Sequence, residues 1–261
     1  MPDNFSSLEF DVRFTRTVDY FGPEAFAKFR AATVAVMGLG GVGSHAAALL
    51  ARNGIGTLHL VDFDTVTASS LNRSALATAS DVGRLKVDMA KDALTRAVPD
   101  LAVATHAEFF APETSETVLS PDLSFVVDAI DSVGPKVELI AACAKRNIPV
   151  ISCLGAAARI RGELVHVTNL FDSHTCPLAR IIRKRLHQAG IRHAIPAVFS
   201  TETPKNPLPA DPSEPHLRRG RPRRRLPSAG MVPGIAGYAA AGYVLRALAG
   251  VDIELIPPLP G

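Results

Sequence analysis

The sequence is poor in cysteine, in histidine at metal-ligand spacing and in repeats. Its three cysteines, Cys143, Cys153 and Cys176, form no Cys-x-x-Cys pair. That excludes a disulfide framework and a zinc site of the paired-cysteine kind. All three read as small buried hydrophobes rather than nucleophiles. The eight histidines are scattered and read as structural or surface residues. Met1 to Phe10 carries acids and no apolar h-region, so no signal peptide is read there. Residues 226–245 are uncharged, but Pro227, Pro233 and four glycines interrupt them. A membrane span needs about 20 predominantly apolar residues, so no membrane segment is expected and the reading is a cytoplasmic protein.

Net charge is also small, +3 over 261 residues, but it is unevenly placed. Residues 205–225 hold Lys205 and six arginines against Asp211 and Glu214, a local +5 that leaves −2 for the rest. The length and the 47% hydrophobic content suit a single α/β domain spanning 1–261.

Apolar stretches and helical patterns alternate. Strands are expected at Thr33–Met37, Thr57–Val61, Leu101–His106, Ser124–Val127 and Ile148–Ser152. Helices are expected from Pro23, from the glycine loop to Arg52, from Ser80-Asp81 to before Pro99, and over Lys136–Arg146. This is the pattern of a doubly wound, mostly parallel, Rossmann-like sheet, with a nucleotide-binding core over about 30–155. Beyond 156, Arg159–Arg161 and Leu164–Thr168 alternate like a hairpin, which predicts an antiparallel extension. Ala179–Gln188 reads as a basic helix and Met231–Ala249 as a C-terminal helix of small residues. Residues 201–229 contain seven prolines and many arginines and read as a flexible segment.

The chemistry begins at Gly38-Leu39-Gly40-Gly41-Val42-Gly43-Ser44. Glycines at 38, 40, 41 and 43 let backbone pass close to a ligand and aim N–H groups at phosphate oxygens. Asp62 ends the second strand, where an acid accepts hydrogen bonds from ribose hydroxyls. Asp64 follows in the same loop. Asn72 and Arg73 lie farther along, and an arginine there can clamp the outer phosphates. Lys86, in the first turns of a helix, can neutralise the α-phosphate. Asp128 and Asp131 follow an apolar strand; Asp131 is assigned as the Mg²⁺ ligand and Asp128 as its support or a helix cap, with Ser132 capping the next helix. Arg218, Arg219, Arg221, Arg223, Arg224 and Arg225 suit contact with nucleic-acid phosphates, and Arg183, Lys184 and Arg185 on the basic helix point the same way.

Together these residues resemble the ubiquitin-activating-enzyme superfamily of adenylyltransferases, matching in order and spacing over residues 13–155. The resemblance implies attack of a substrate carboxylate on the α-phosphate of Mg-ATP. It places Gly41 and Asp62 on the nucleotide, Arg73 and Lys86 on the phosphates and Asp131 on Mg²⁺. In dimeric members an arginine near the N-terminus reaches the partner's phosphates, and Arg13 or Arg16 is placed to match it.

Within that superfamily the chain is most similar to tRNA threonylcarbamoyladenosine dehydratases, through Arg13-Phe14, Asn72-Arg73, residues 128–132 with Pro135-Lys136, residues 198–202 and residues 230–237. That implies ATP-dependent cyclisation of the threonylcarbamoyl group in tRNA, in a homodimer, with a sulfur-transfer partner in trans left open. Ser70 stands where relatives often carry asparagine, and Pro196-Ala197 where some carry a cysteine. A second reading is adenylation of a ubiquitin-like sulfur carrier, although such enzymes often hold zinc through cysteine pairs. A third, a nicotinamide oxidoreductase or a non-catalytic nucleotide-binding regulator, leaves Arg73, Lys86 and Asp131 without a role.

Overall fold

A computed structural model describes residues 11–209, 226–251 and 255. Seven strands form one sheet: β1 (Thr33–Met37), β2 (Thr57–Val61), β3 (Ala102–His106), β4 (Phe125–Asp128), β5 (Val150–Cys153), β6 (Val165–Asn169) and β7 (Pro196–Ser200). Their order is β3-β2-β1-β4-β5-β7-β6, parallel throughout except for β6 against β7. The helices are α1 (Thr15–Phe21), α2 (Pro23–Ala31), α3 (Gly43–Arg52), α4 (Lys86–Ala97), α5 (Ser115–Val118), α6 (Val133–Arg146), α7 (Pro177–Gln188) and α8 (Met231–Ala249).

The side-chain period of two makes the layers. Along β1, Val34 and Val36 join the cluster formed with α3, α4 and α8, while Ala35 and Met37 face Leu139 and Cys143 of α6. A strand buried on both faces is apolar at every position, as Val34–Met37 is. Helix ends follow local chemistry. Pro23 begins α2 after Gly22 at φ 82°, Asn147 ends α6 in the left-handed region, and Gly250 ends α8 there too.

Strand order reverses between β1 and β4. In such a sheet the crevice at that point, beyond the carboxyl ends, is where ligands bind. The glycine loop leaves β1 there and residues 129–132 leave β4 beside it.

Two expectations need correction. The helix expected from Ser80-Asp81 starts at Lys86. Thr78 and Asp81 do form a capping box, but it closes only the 3-10 turn Ala79–Asp81, and Gly83 at φ 93° breaks the chain before α4. The antiparallel partner of β6 is β7, not residues 159–161. Those residues are diverted because the Glu202 carboxylate accepts the Ile160 N–H at 3.0 Å and the Arg161 N–H at 2.8 Å. Helix α1 was not foreseen. The flexible reading of 201–229 falls largely on residues outside those described.

Candidate active site

The four glycines of the first loop serve different ends. A Cβ on Gly43 would lie 1.7 Å from the Gly38 carbonyl oxygen, and Gly38 sits at φ 90° with Ala129 against it. These two build the turn and lock it to the neighbouring loop. Gly40 faces open space. Gly41 lies under the aliphatic part of Arg73 and beside Pro233. Gly40 and Gly41 line an open cleft together with Ser70, Arg73 and Lys86.

Asp62 ties this loop to β2. Its buried carboxylate accepts the Leu39 N–H at 2.7 Å and the Asp64 N–H at 2.8 Å. Burial raises its pKa over the opposing pull of Lys86 and the two amides. Lys86 Nζ stands 2.9 Å from Asp64 and 3.5 Å from Asp62. Burial disfavours its ammonium, but the two carboxylates outweigh that and its pKa is raised. The lysine is therefore charged and aimed along the floor of the cleft.

Arg73 is set by its neighbours. Its Nη1 donates to the Ser69 carbonyl at 2.6 Å and to Asn72 Oδ1 at 3.0 Å. Asn72, expected at the nucleotide, uses both ends of its amide on protein: Nδ2 donates to the Ser228 carbonyl at 2.8 Å. The chain entering α8 is thereby fastened to the arginine. Pro233 at the start of α8 packs against Gly41. The uncharged segment from 226 onward thus borders the glycine loop.

Asp131 is exposed beyond β4, and Ser132 donates to its Oδ1 at 3.0 Å. Ser132 holds the N-cap position of α6, but with its hydroxyl turned to Asp131. Asp128 caps no helix. It is fully buried, with Lys136 Nζ at 2.7 Å, the Ser152 hydroxyl at 2.7 Å and the Ile130 N–H at 3.1 Å. Lys136 also donates to the Cys153 carbonyl at 2.9 Å. Sequence reasoning passed over Lys136. Its signal is periodicity: it lies with Val137, Leu139, Ile140 and Cys143 on the buried side of α6, where a lysine requires a partner.

Among the described residues no three acidic, histidine or cysteine side chains gather around a metal position. A single carboxylate at Asp131 fits Mg²⁺ held mainly by substrate phosphate, since Mg²⁺ takes one or two carboxylates in such sites.

The N-terminal arginines part company. Arg13 is ion-paired to Asp11 and, at 2.8 Å, to Asp100, and this raises its pKa. Asp100 precedes β3, at the sheet edge opposite the cleft. Arg16 is 97% exposed, with Asp19 at 3.7 Å. The cysteines are all buried, and burial pushes the Cys143 and Cys153 thiols up to about 12. Arg218, Arg219, Arg221, Arg223, Arg224 and Arg225 lie outside the described residues.

The sequence profile of the ThiF family matches residues 14–259. The tRNA threonylcarbamoyladenosine dehydratase of Bacillus subtilis is 33% identical over 246 residues, covering 93% of this chain and 96% of the relative. The molybdopterin-synthase adenylyltransferase of Escherichia coli is 37% identical over 153 residues, covering 59% of each chain. The crystal structure of E. coli tRNA N6-threonylcarbamoyladenosine dehydratase in complex with ATP matches with a TM-score of 0.81 at 31% identity, covering 91% of this chain and 94% of that one.

Proposed function

This chain belongs to the ThiF family, and from that premise we propose that it is an ATP-dependent dehydratase of threonylcarbamoyladenosine in tRNA, acting by carboxylate adenylation. The observation that carries the reading is the cleft at the switch point, where Gly40, Gly41, Arg73 and Lys86 come together. Dehydratase relatives that match nearly end to end support the choice of substrate.

In this reaction a carboxylate oxygen of the threonyl group attacks the α-phosphorus of ATP. The bond from that phosphorus to the bridging oxygen breaks, and pyrophosphate leaves with the electron pair. A nucleophile within the same threonylcarbamoyl group then attacks the activated carbonyl and gives up its proton. AMP departs with the former carboxylate oxygen, and the ring closes with the net loss of one water.

The chain supplies charge and position. Gly40 and Gly41 offer backbone to phosphate. Asp62 is assigned to the ribose, and its bond to Leu39 holds the loop in place meanwhile. Lys86, already charged, meets the negative charge that builds on the α-phosphate, with Asp64 as its anchor. Arg73 takes the leaving pyrophosphate, positioned by Asn72. Asp131 would hold Mg²⁺, which would supply positive charge to the leaving group. We assign Arg16 to the phosphates of a partner copy in a homodimer, because Arg13 is held by Asp11 and Asp100. The arginines between 218 and 225 are assigned to tRNA phosphates. Any sulfur transfer belongs to a partner in trans, because all three cysteines here are buried. Activation of a sulfur-carrier protein ranks second, since its adenylyltransferase relative matches only 59% of the chain.

The test is ATP–pyrophosphate exchange with tRNA bearing threonylcarbamoyladenosine. Arg73→Ala should lower exchange by about 10²–10³-fold, the usual effect of removing one preorganised charge donor. Asp131→Ala should lower it and raise the Mg²⁺ needed. Exchange at the wild-type rate in both variants would refute the site.

A further inference from the structure

We propose that the outward face of α7 is an RNA-docking surface that takes the sugar–phosphate backbone of the tRNA; the proposal rests on the function stated above. Residues 173–201 contain five lysines and arginines and no aspartate or glutamate. Four of the five lie in α7. Its inward side is apolar, with Ala179, Ile182 and Leu186 buried against the cluster that includes α6 residues Val137 and Ile140. On the outward side Arg180, Lys184 and Arg185 are exposed, and among the described residues none of them forms an ion pair. Arg183 is used differently. It is half-buried and donates to the Ser173 hydroxyl at 2.8 Å, fastening the helix to its approach.

Helix stability favours Arg185, in the last turn, but does not account for Arg180 and Lys184. Like charges at i and i+4, such as Arg180 and Lys184, cost about 0.2–0.5 kcal/mol, and a cation near a helix N-terminus opposes the macrodipole. A helix exposed only to water normally mixes signs. Helix α4 does so, with Asp88, Lys91, Asp92 and Arg96 on its exposed side. A face of exposed cations that form no ion pair is complementary to a polyanion.

Placement supports the same partner. The first turn of α7 packs on the loop after β5: a Cβ on Gly155 would lie 3.2 Å from Cys176 Sγ and 3.9 Å from Leu178 Cβ. That loop stands at the carboxyl edge of the sheet, the edge from which the glycine loop and residues 129–132 also emerge. A backbone laid along α7 therefore leads to the edge where the nucleoside must enter. Long flexible cations read charge and A-form shape, not base sequence. The surface thus fits a substrate whose specificity is decided in the cleft.

The experiment uses the full chain and tRNA bearing threonylcarbamoyladenosine. Binding is measured across a salt series for wild type, for the triple variant Arg180→Ser, Lys184→Ser, Arg185→Ser, and for the charge-keeping variant Arg180→Lys, Arg185→Lys. Three lost phosphate contacts should reduce the slope of log K against log salt by about 2–3, at roughly 0.7–0.9 per contact. The KM for tRNA should rise, the lysine variant should keep the wild-type slope, and ATP affinity without tRNA should stay at the wild-type value. An unchanged slope and KM in the triple variant, with wild type active, overturns the proposal. So does a lysine variant that loses as much slope as the serine one. If wild type itself neither binds nor dehydrates this tRNA, the proposed function falls, and the surface with it.

Discussion

At the scale of single residues, the site depends on charges that neutralise one another before any ligand arrives. Lys86 lies against Asp64 and Asp62, and Lys136 against Asp128. The two pairs differ in consequence. Lys86 reaches the cleft, whereas Lys136 is fully buried and joins α6 to the ends of β4 and β5. Lys136→Met should destabilise the protein by about 3–5 kcal/mol, because it leaves the buried Asp128 carboxylate without its counter-charge. Replacing both residues, as Lys136→Met with Asp128→Leu, should cost less than the sum of the two single changes. Chemical denaturation of the three variants measures this, and strict additivity would contradict it. Arg73, Lys86 and Asp62 were legible in the sequence because each follows or begins an element whose order fixes its place. Lys136 was missed because its partner is eight residues away and the pairing is made only when α6 packs on the sheet.

At the scale of elements, β1 to β5 and α8 were readable from apolar runs and small-residue content, while β7, parallel to β5, was not foreseen. The errors arose where a local signal competes with a tertiary one. The Thr78–Asp81 box is a true helix-start signal that closes a single turn. Residues 159–161 alternate like a strand, yet their amides are taken by Glu202. Helix α8 carries a stricter constraint. A Cβ on Gly237 would lie 2.4 Å from the Val42 carbonyl oxygen and 2.8 Å from His45 Cβ. Val42 lies in the glycine loop and His45 in the helix that follows it, and a backbone oxygen cannot swing aside. Gly237→Ala should therefore destabilise by about 1–3 kcal/mol and weaken ATP binding together with it. Thermal denaturation and ATP titration check the pair of effects. A variant with wild-type melting and wild-type affinity would show that α8 does not brace the loop as described.

At the scale of the whole molecule, the distribution of charge matters more than its total. Removing residues 205–225 from the count turns a basic chain into an acidic one. Elsewhere α7 stands out, with four lysines and arginines and no acid in twelve residues. Among the described residues no helix is long and apolar enough to cross a membrane, α8 included. The general chemistry was legible because glycine loop, acid, arginine and lysine keep their chain order around one switch point. The contact of Pro233 with Gly41 and the link from Asn72 to Ser228 were not, since both join segments more than 150 residues apart.

The central claim is that a carboxylate of the substrate becomes an acyl-adenylate, and the fate of its oxygen tests that claim most directly. The tRNA is prepared with heavy oxygen in the threonyl carboxylate and incubated with the protein and Mg-ATP, and the nucleoside and nucleotide products are weighed by mass spectrometry. The account predicts one labelled oxygen in AMP for each nucleoside that has lost a water. Label in inorganic phosphate accompanied by ADP, or an unlabelled AMP beside a dehydrated nucleoside, would contradict it.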